Sequence, residues 1–145
     1  MEKEIEIRLE EGARIPTYQT SGSSGADLYA RLRESVALEP GQRCTIGTGV
    51  YPGIPEGLEV QIRSRSGLAR KMGVVVLNSP GTIDSDYRGE IQVVLINHGE
   101  AAISIHHGDR VAQMVVAPVL RGSFRVTEAL SSTERGDGGF GHTGI

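Results

Sequence analysis

ESVALEPGQRCTIGTGVYPGIPEGLEVQIRSR, residues 34–65, breaks into short apolar runs, each ended by a turn signal: EPG, GTG and PGIPEG. Gly and Pro punctuate it every six to ten residues. That spacing is too tight for helices and fits the strands of a sandwich or barrel. Upstream, Ile5, Ile7 and Leu9 alternate with charged residues, which predicts a half-buried first strand. Downstream, GVVVLN (73–78) and IQVVLIN (91–97) read as strands. ISIHHGDRVAQMVVAPVL (103–120) reads as a strand pair around HHGD, with Pro118 ending the run or marking an edge. SGLARKMG (66–73) is the one helical stretch: Ser66 is placed to cap it, Leu68 and Met72 lie four apart, and Gly73 can stop it.

Composition agrees with an all-β reading. Gly counts 20 of 145 residues, about double the ordinary usage of roughly 7 %. Trp is absent and Phe counts two. The length suits one domain with one modest core. A net charge of −3 gives no basic footprint for stable nucleic-acid binding. Cys44 is alone, so no disulfide forms within the chain, and its expected role is a small buried apolar residue. The acidic, alternating start MEKEIEIRLEEG is neither a signal nor a transit peptide, and no apolar run approaches the roughly 20 residues of a membrane span. A cytoplasmic setting is the expectation. From Ser131 the character changes: five Gly fall in residues 135–144, too little apolar surface to fold alone. The expected organisation is one all-β domain, residues 1–129, and a mobile Gly-rich tail, residues 130–145.

Five stretches carry more chemistry than folding requires. In SGADLYA (24–30), Gly25 permits close backbone approach and Asp27 sits among apolar neighbours. RSRSGLA (63–69) places Ser-Gly at a helix start between arginines, an arrangement that favours an anion. GTIDSDYRGE (81–90), with Asn78 before it, holds Asp84, Asp86 and Glu90 beside Tyr87, a surplus of acid for an ordinary turn. If that stretch is extended, Asp84 and Asp86 share a face, suited to a hard cation or to orienting a water. GDRVAQM (108–114) puts one polar residue at each parity, so one of Arg110 and Gln113 points inward and needs a partner. RGDGGFGHTG (135–144) is phosphate-loop-like in composition without the GxxxxGK[ST] spacing; its backbone N–H groups can hold a phosphate, and Phe140 can stack on a base.

Taken in order, SGADLYA, RSGLA, GTIDSDYRGE, RVAQM and RGDGGFGHTG resemble the five motifs of the trimeric deoxyuridine triphosphatases (dUTPases), over nearly the whole chain. The resemblance implies a jelly-roll-like β-barrel or sandwich, a homotrimer with shared active sites, and hydrolysis of dUTP to dUMP and pyrophosphate with Mg²⁺ on the triphosphate. It implies that Asp84 deprotonates the attacking water and that Tyr87 packs under the deoxyribose. Asn78, Gly81 and Ile83 would read the uracil edge. Arg65, Ser66 and Gly67 would hold phosphates, with Gln113 on the α-phosphate side and Asp27 meeting the metal through water. Arg135 and Phe140 would cover the base, while His142, Thr143 and Gly144 grip the γ-phosphate. His142 stands where many members carry a small hydroxyl residue. Two other readings stay open from residues alone: a dCTP deaminase, which shares the fold, and a nucleotide-responsive binding protein without turnover.

Overall fold

A computed structural model describes residues 2–144. Within them eleven strands and one helix run in the order β1 (Glu6–Leu9), β2 (Ala26–Tyr29), β3 (Val36–Leu38), β4 (Arg43–Gly47), β5 (Val50–Gly53), β6 (Leu58–Arg63), α1 (Ser66–Met72), β7 (Val74–Val76), β8 (Gly81–Ile83), β9 (Gln92–Asn97), β10 (Ile103–Ile105) and β11 (Arg110–Pro118). All pairing among them is antiparallel. The ladders are a four-stranded sheet β2-β11-β6-β8, a three-stranded sheet β4-β9-β7, and two two-stranded ribbons, β1-β5 and β3-β10. They do not close into one continuous barrel.

Among the described residues, no strand pairs with its neighbour in sequence. The turns at EPG, GTG, PGIPEG, NSPG and HHGD are therefore corners between sheets rather than hairpins. β7 and β8 flank the NSPG turn, yet β7 pairs with β9 and β8 with β6. Likewise β10 and β11 are not the expected pair around HHGD: β10 joins β3, and β11 lies between β2 and β6. Sequence spacing identifies where strands end but not which strand lies beside which.

Alternation drives the packing. In β9, Val93 and Leu95 face inward and are fully buried, together with Ile91, Leu28, Ile46 and Val60. β1 is less buried than expected: Ile7 packs against the core, but Leu9 is 40 % exposed. Cys44 is half-buried rather than buried, and burial pushes its thiol up, away from nucleophilic use. Helix α1 starts from Arg65, in extended backbone with no side-chain cap, so Ser66 is the first helical residue and not its cap. Gly73 ends the helix in the left-handed region, at φ 70°. A side chain there would collide with the Gly99 backbone, so this closure demands glycine twice over.

Asn97, at the inward end of β9, is fully buried. Its amide donates to the Leu38 and Ala101 carbonyls at 2.9 Å each and accepts from the Gly99 N–H at 2.8 Å. Asn97→Ala leaves three backbone groups without this partner, the Leu38 carbonyl buried and the other two part-buried, at about 1 kcal/mol each. We expect a loss of roughly 3 kcal/mol, read as a fall of about 10 °C in Tm at fixed protein concentration.

β11 ends at Pro118, and the bond from Val119 N–H to the Gly57 carbonyl (2.9 Å) is the last from the chain's end to the strands among the described residues. Beyond it Leu120, Phe124 and Val126 are at least 98 % exposed. No described helix is long and apolar enough to cross a membrane.

Candidate functional site

The first group of candidate residues gathers where β2, β11 and the start of α1 meet. β2 seats Asp27 in the sheet with only 7 % exposure. A carboxylate so buried needs partners, and two guanidinium groups supply them. Arg65 Nε reaches Oδ1 at 3.0 Å and Arg110 Nη1 reaches Oδ2 at 3.2 Å. Gln113 lies directly opposite Asp27 in the ladder. Arg110 and Gln113 have opposite parity, yet both serve this region. The reason is a register shift in β11 between Arg110 and Ala112, which adds one residue, Val111, against β2 and reverses the alternation. Gln113 is the half-buried one of the two and Arg110 stays exposed, but the bulge puts both on the Asp27 side of the sheet.

Gln113 is held by its own amide, which donates to the Ser64 carbonyl at 3.0 Å. Gly25 makes room for it: a Cβ at position 25 would fall 2.2 Å from Gln113 Oε1 and 3.2 Å from its Cβ. Gln19, Ser23, Ser24, Gly25, Asp27, Arg65, Ser66, Gly67 and Gln113 enclose a cavity of about 280 Å³. The first N–H groups of a helix have no intrahelical acceptor, and α1 has neither a side-chain cap nor a first-turn acid to replace one. Together with Arg65 these N–H groups are a set of donors able to bond an anion.

The second group lies on the corner after β7 and the loop after β8. Val76 C=O accepts from Ser79 N–H at 3.3 Å, closing the turn that carries Asn78. Asn78 rests against Gly81, where a Cβ would come 3.3 Å from its Nδ2. β8 stops at Ile83, and Asp84 opens a turn closed by Tyr87 N–H to the Asp84 carbonyl (3.2 Å). Asp84 and Asp86 thus do not lie in a strand, and their shared face is not a strand face. Tyr87 donates to the Glu90 carbonyl at 2.8 Å, with its ring over Gly89. Glu90 in turn accepts from Gly49 N–H at 2.8 Å, and Arg88 donates to the Ser85 and Tyr87 carbonyls. Arg88 and Glu90 therefore order this loop. Asp84 opens into a different cavity, of about 770 Å³, beside Glu59, Asp86, Arg88 and Arg121.

The third group is in the tail. Arg135 Nε donates to the Gly138 carbonyl at 2.8 Å, and successive turns close at Gly136, Gly138, His142 and Gly144. Arg135, His142 and Thr143 border a cavity of about 660 Å³ with Thr133, Glu134 and Gly141. Phe140 is fully exposed, in the left-handed region at φ 51°. The three cavities share no residue. Within one chain the three groups of candidate residues therefore lie apart.

Among the described residues, no three His, Cys, Asp or Glu side chains gather as direct metal ligands. Besides Cys44, the displaced groups are Glu10 and Tyr51, neither of them a candidate site residue. Tyr51 donates to Glu10 and holds its carboxyl below the usual range, and the same bond raises the Tyr51 phenol. The residues missed from sequence are Arg110 as the second partner of Asp27, Ser64, and the Gln19, Ser23 and Ser24 wall. The polar residue at each parity of GDRVAQM was the available signal for the first.

An antiparallel β fold with arginine and free amide donors around one cavity is suited chemically to an anionic substrate. The dUTPase family model matches residues 11–144. The deoxyuridine 5′-triphosphate nucleotidohydrolase of Chlamydia trachomatis serovar L2 is 57 % identical over 138 residues, covering 94 % of this chain and 95 % of that one. The solved Staphylococcus bacteriophage 80alpha dUTPase with dUPNHPP aligns at a TM-score of 0.89 and 27 % identity, covering 99 % of this chain and 100 % of that one. A mutant dUTPase from S. aureus phage phi11, whose structure details the coordination of a structural Mg(II) ion, aligns at a TM-score of 0.79 and 26 % identity, covering 88 % of this chain and 98 % of that one. The chain belongs to the dUTPase family, and its fold is the jelly-roll-like fold of those enzymes.

Proposed function

We propose that this protein hydrolyses dUTP to dUMP and pyrophosphate, as a homotrimer in which each site draws on more than one chain. The observation that carries the reading is the anion cradle of Asp27, Arg65, Ser66, Gly67 and Gln113 in a chain that matches the dUTPase family from residue 11 to residue 144. The division of the candidate residues among three separate cavities supports sharing, because a single chain leaves Asp84 and the cradle apart.

The cradle receives the phosphates. Arg65 and the free N–H groups at Ser66 and Gly67 bond the anionic oxygens, and Gln113 meets the α-phosphate side. The turn at Asn78, with the backbone at Gly81 and Ile83, reads the uracil edge and leaves no room for a thymine methyl. Tyr87, fixed by its bond to the Glu90 carbonyl, lies under the deoxyribose and rejects a 2′-hydroxyl by collision. Asp84 accepts a proton from water. That water forms a new P–O bond at the α-phosphorus, the bond to the α,β-bridging oxygen breaks, and pyrophosphate leaves with the electron pair. The tail, residues 130–145, closes over a neighbouring chain's site, with Phe140 and Arg135 on the base and His142, Thr143 and Gly144 on the γ-phosphate. Residues 119–129 form the arm that carries it there.

Mg²⁺ bound by the triphosphate would neutralise charge that builds on the leaving group. Both Asp27 oxygens already bond guanidinium groups, so Asp27 fits a contact through water rather than direct ligation.

Pyrophosphate release with Mg²⁺, compared for dUTP, dTTP, dCTP and UTP, tests the reading. Strong preference for dUTP is expected. Release from all four sinks the specificity assignments, ammonia from dCTP indicates a deaminase, and dUTP binding without release indicates a binding protein. A local test follows from Gly25. Gly25→Ala drives Gln113 from its bond to Ser64, and kcat/KM for dUTP is expected to fall roughly 10²-fold, since an ångström of misplacement costs about that much. Unchanged kinetics would remove Gln113 from the site.

A further inference from the structure

β7 is the outer strand of its sheet. Leu77 N–H bonds the Val94 carbonyl at 2.8 Å, so alternation turns the Val76 N–H away from β9. Val76 is buried, with 3 % exposure, and a buried N–H without a partner is costly. Its acceptor comes from the other sheet: the Ser64 hydroxyl, at 2.9 Å, just past the end of β6. The other face of the same peptide stretch, the Val76 carbonyl, closes the turn that carries Asn78. Ser64 also offers its carbonyl to Gln113. One residue is thus bonded to the strand that leads into the Asn78 turn and to the amide beside the anion cradle, and it directly precedes Arg65.

We infer that Ser64 is a positioning residue, whose hydroxyl fixes the Asn78 turn relative to the phosphate cradle and so sets how strictly the base is read. On the proposed reading that Asn78 meets the uracil edge, the tether acts through Asn78 and touches no substrate. A substrate held by its phosphates at Arg65 then presents its base to a turn at a set distance. Without the hydroxyl the cradle is intact, because the carbonyl that holds Gln113 belongs to the backbone. Only the turn is released.

Two measurements on Ser64→Ala and Ser64→Thr test this in the full-length protein. Amide hydrogen exchange across residues 76–81 should quicken roughly tenfold in Ser64→Ala and return to the parent rate in Ser64→Thr, the scale of one neutral hydrogen bond. In steady-state kinetics Ser64→Ala should raise KM for dUTP by about tenfold with kcat near the parent's, and lower the preference for dUTP over dCTP by a similar factor. Ser64→Thr should restore both. Unchanged exchange at 76–81 overturns the tether whatever the kinetics. Quickened exchange with KM and base preference unmoved overturns its role in reading the base, as does a loss confined to kcat. A parent that does not hydrolyse dUTP defeats the proposed activity instead, and the exchange data then still decide whether Ser64 holds the turn.

Discussion

Asp84→Asn is expected to lower kcat for dUTP by roughly 10³-fold while dUTP still binds, within the 10²–10⁴-fold range of a positioned general base. The amide keeps the size of the side chain but takes no proton from water. Asp84 is exposed, and its carbonyl, not its carboxylate, closes the turn to Tyr87, so the loop should survive the change. Single-turnover kinetics and dUTP binding check the two halves separately. A variant that turns over dUTP near the parent rate removes Asp84 from the chemistry. A variant that no longer binds dUTP makes it a binding group.

Removal of residues 131–145 is expected to lower kcat/KM by about 10²–10³-fold, the scale of losing a closing segment that orients substrate and excludes water. Folding should be spared, because the ladders end at Pro118 and no described hydrogen bond joins the tail to the strands. The more decisive form of the experiment mixes two defective chains. Asp84→Asn keeps its tail, and the truncated chain keeps Asp84. Unfolded and refolded together, they should recover activity that neither has alone, because in the proposed homotrimer some mixed sites join an intact Asp84 to an intact tail. No recovery, with mixed trimers confirmed by mass, would mean that each chain completes its own site.

The strand content and the stretches that line the candidate cavities were legible in the sequence because both are local properties. Alternation in Ile5–Leu9 and IQVVLIN, the stop at Gly73 and the end at Pro118 all correspond to observed elements. Pairing was not legible. A Gly-containing turn looks the same whether the strands beside it bond to each other or leave for different sheets, so HHGD read as the centre of a strand pair. Asp27 could be noticed as an acid among apolar neighbours, but its second partner, Arg110, depends on a bulge at Val111 that composition does not announce. Ser64 carried no signal at all: its hydroxyl matters only because β7 lies at the outside of its sheet.

The avoidance of neighbouring-strand pairing has a consequence for how the chain acquires its structure. β2 is made early, but its ladder partner is β11, the last described strand to be synthesised. β4 must wait for β9, and β3 for β10. Every described ladder is closed across an intervening strand or more, and such long closures slow folding towards the millisecond-to-second range of all-β domains. During synthesis at about 5–20 residues per second, β2 and β3 stay open for seconds, exposing the apolar residues that later form the core. The strand edges of β2 stay unpaired until β11, which ends at Pro118, has emerged.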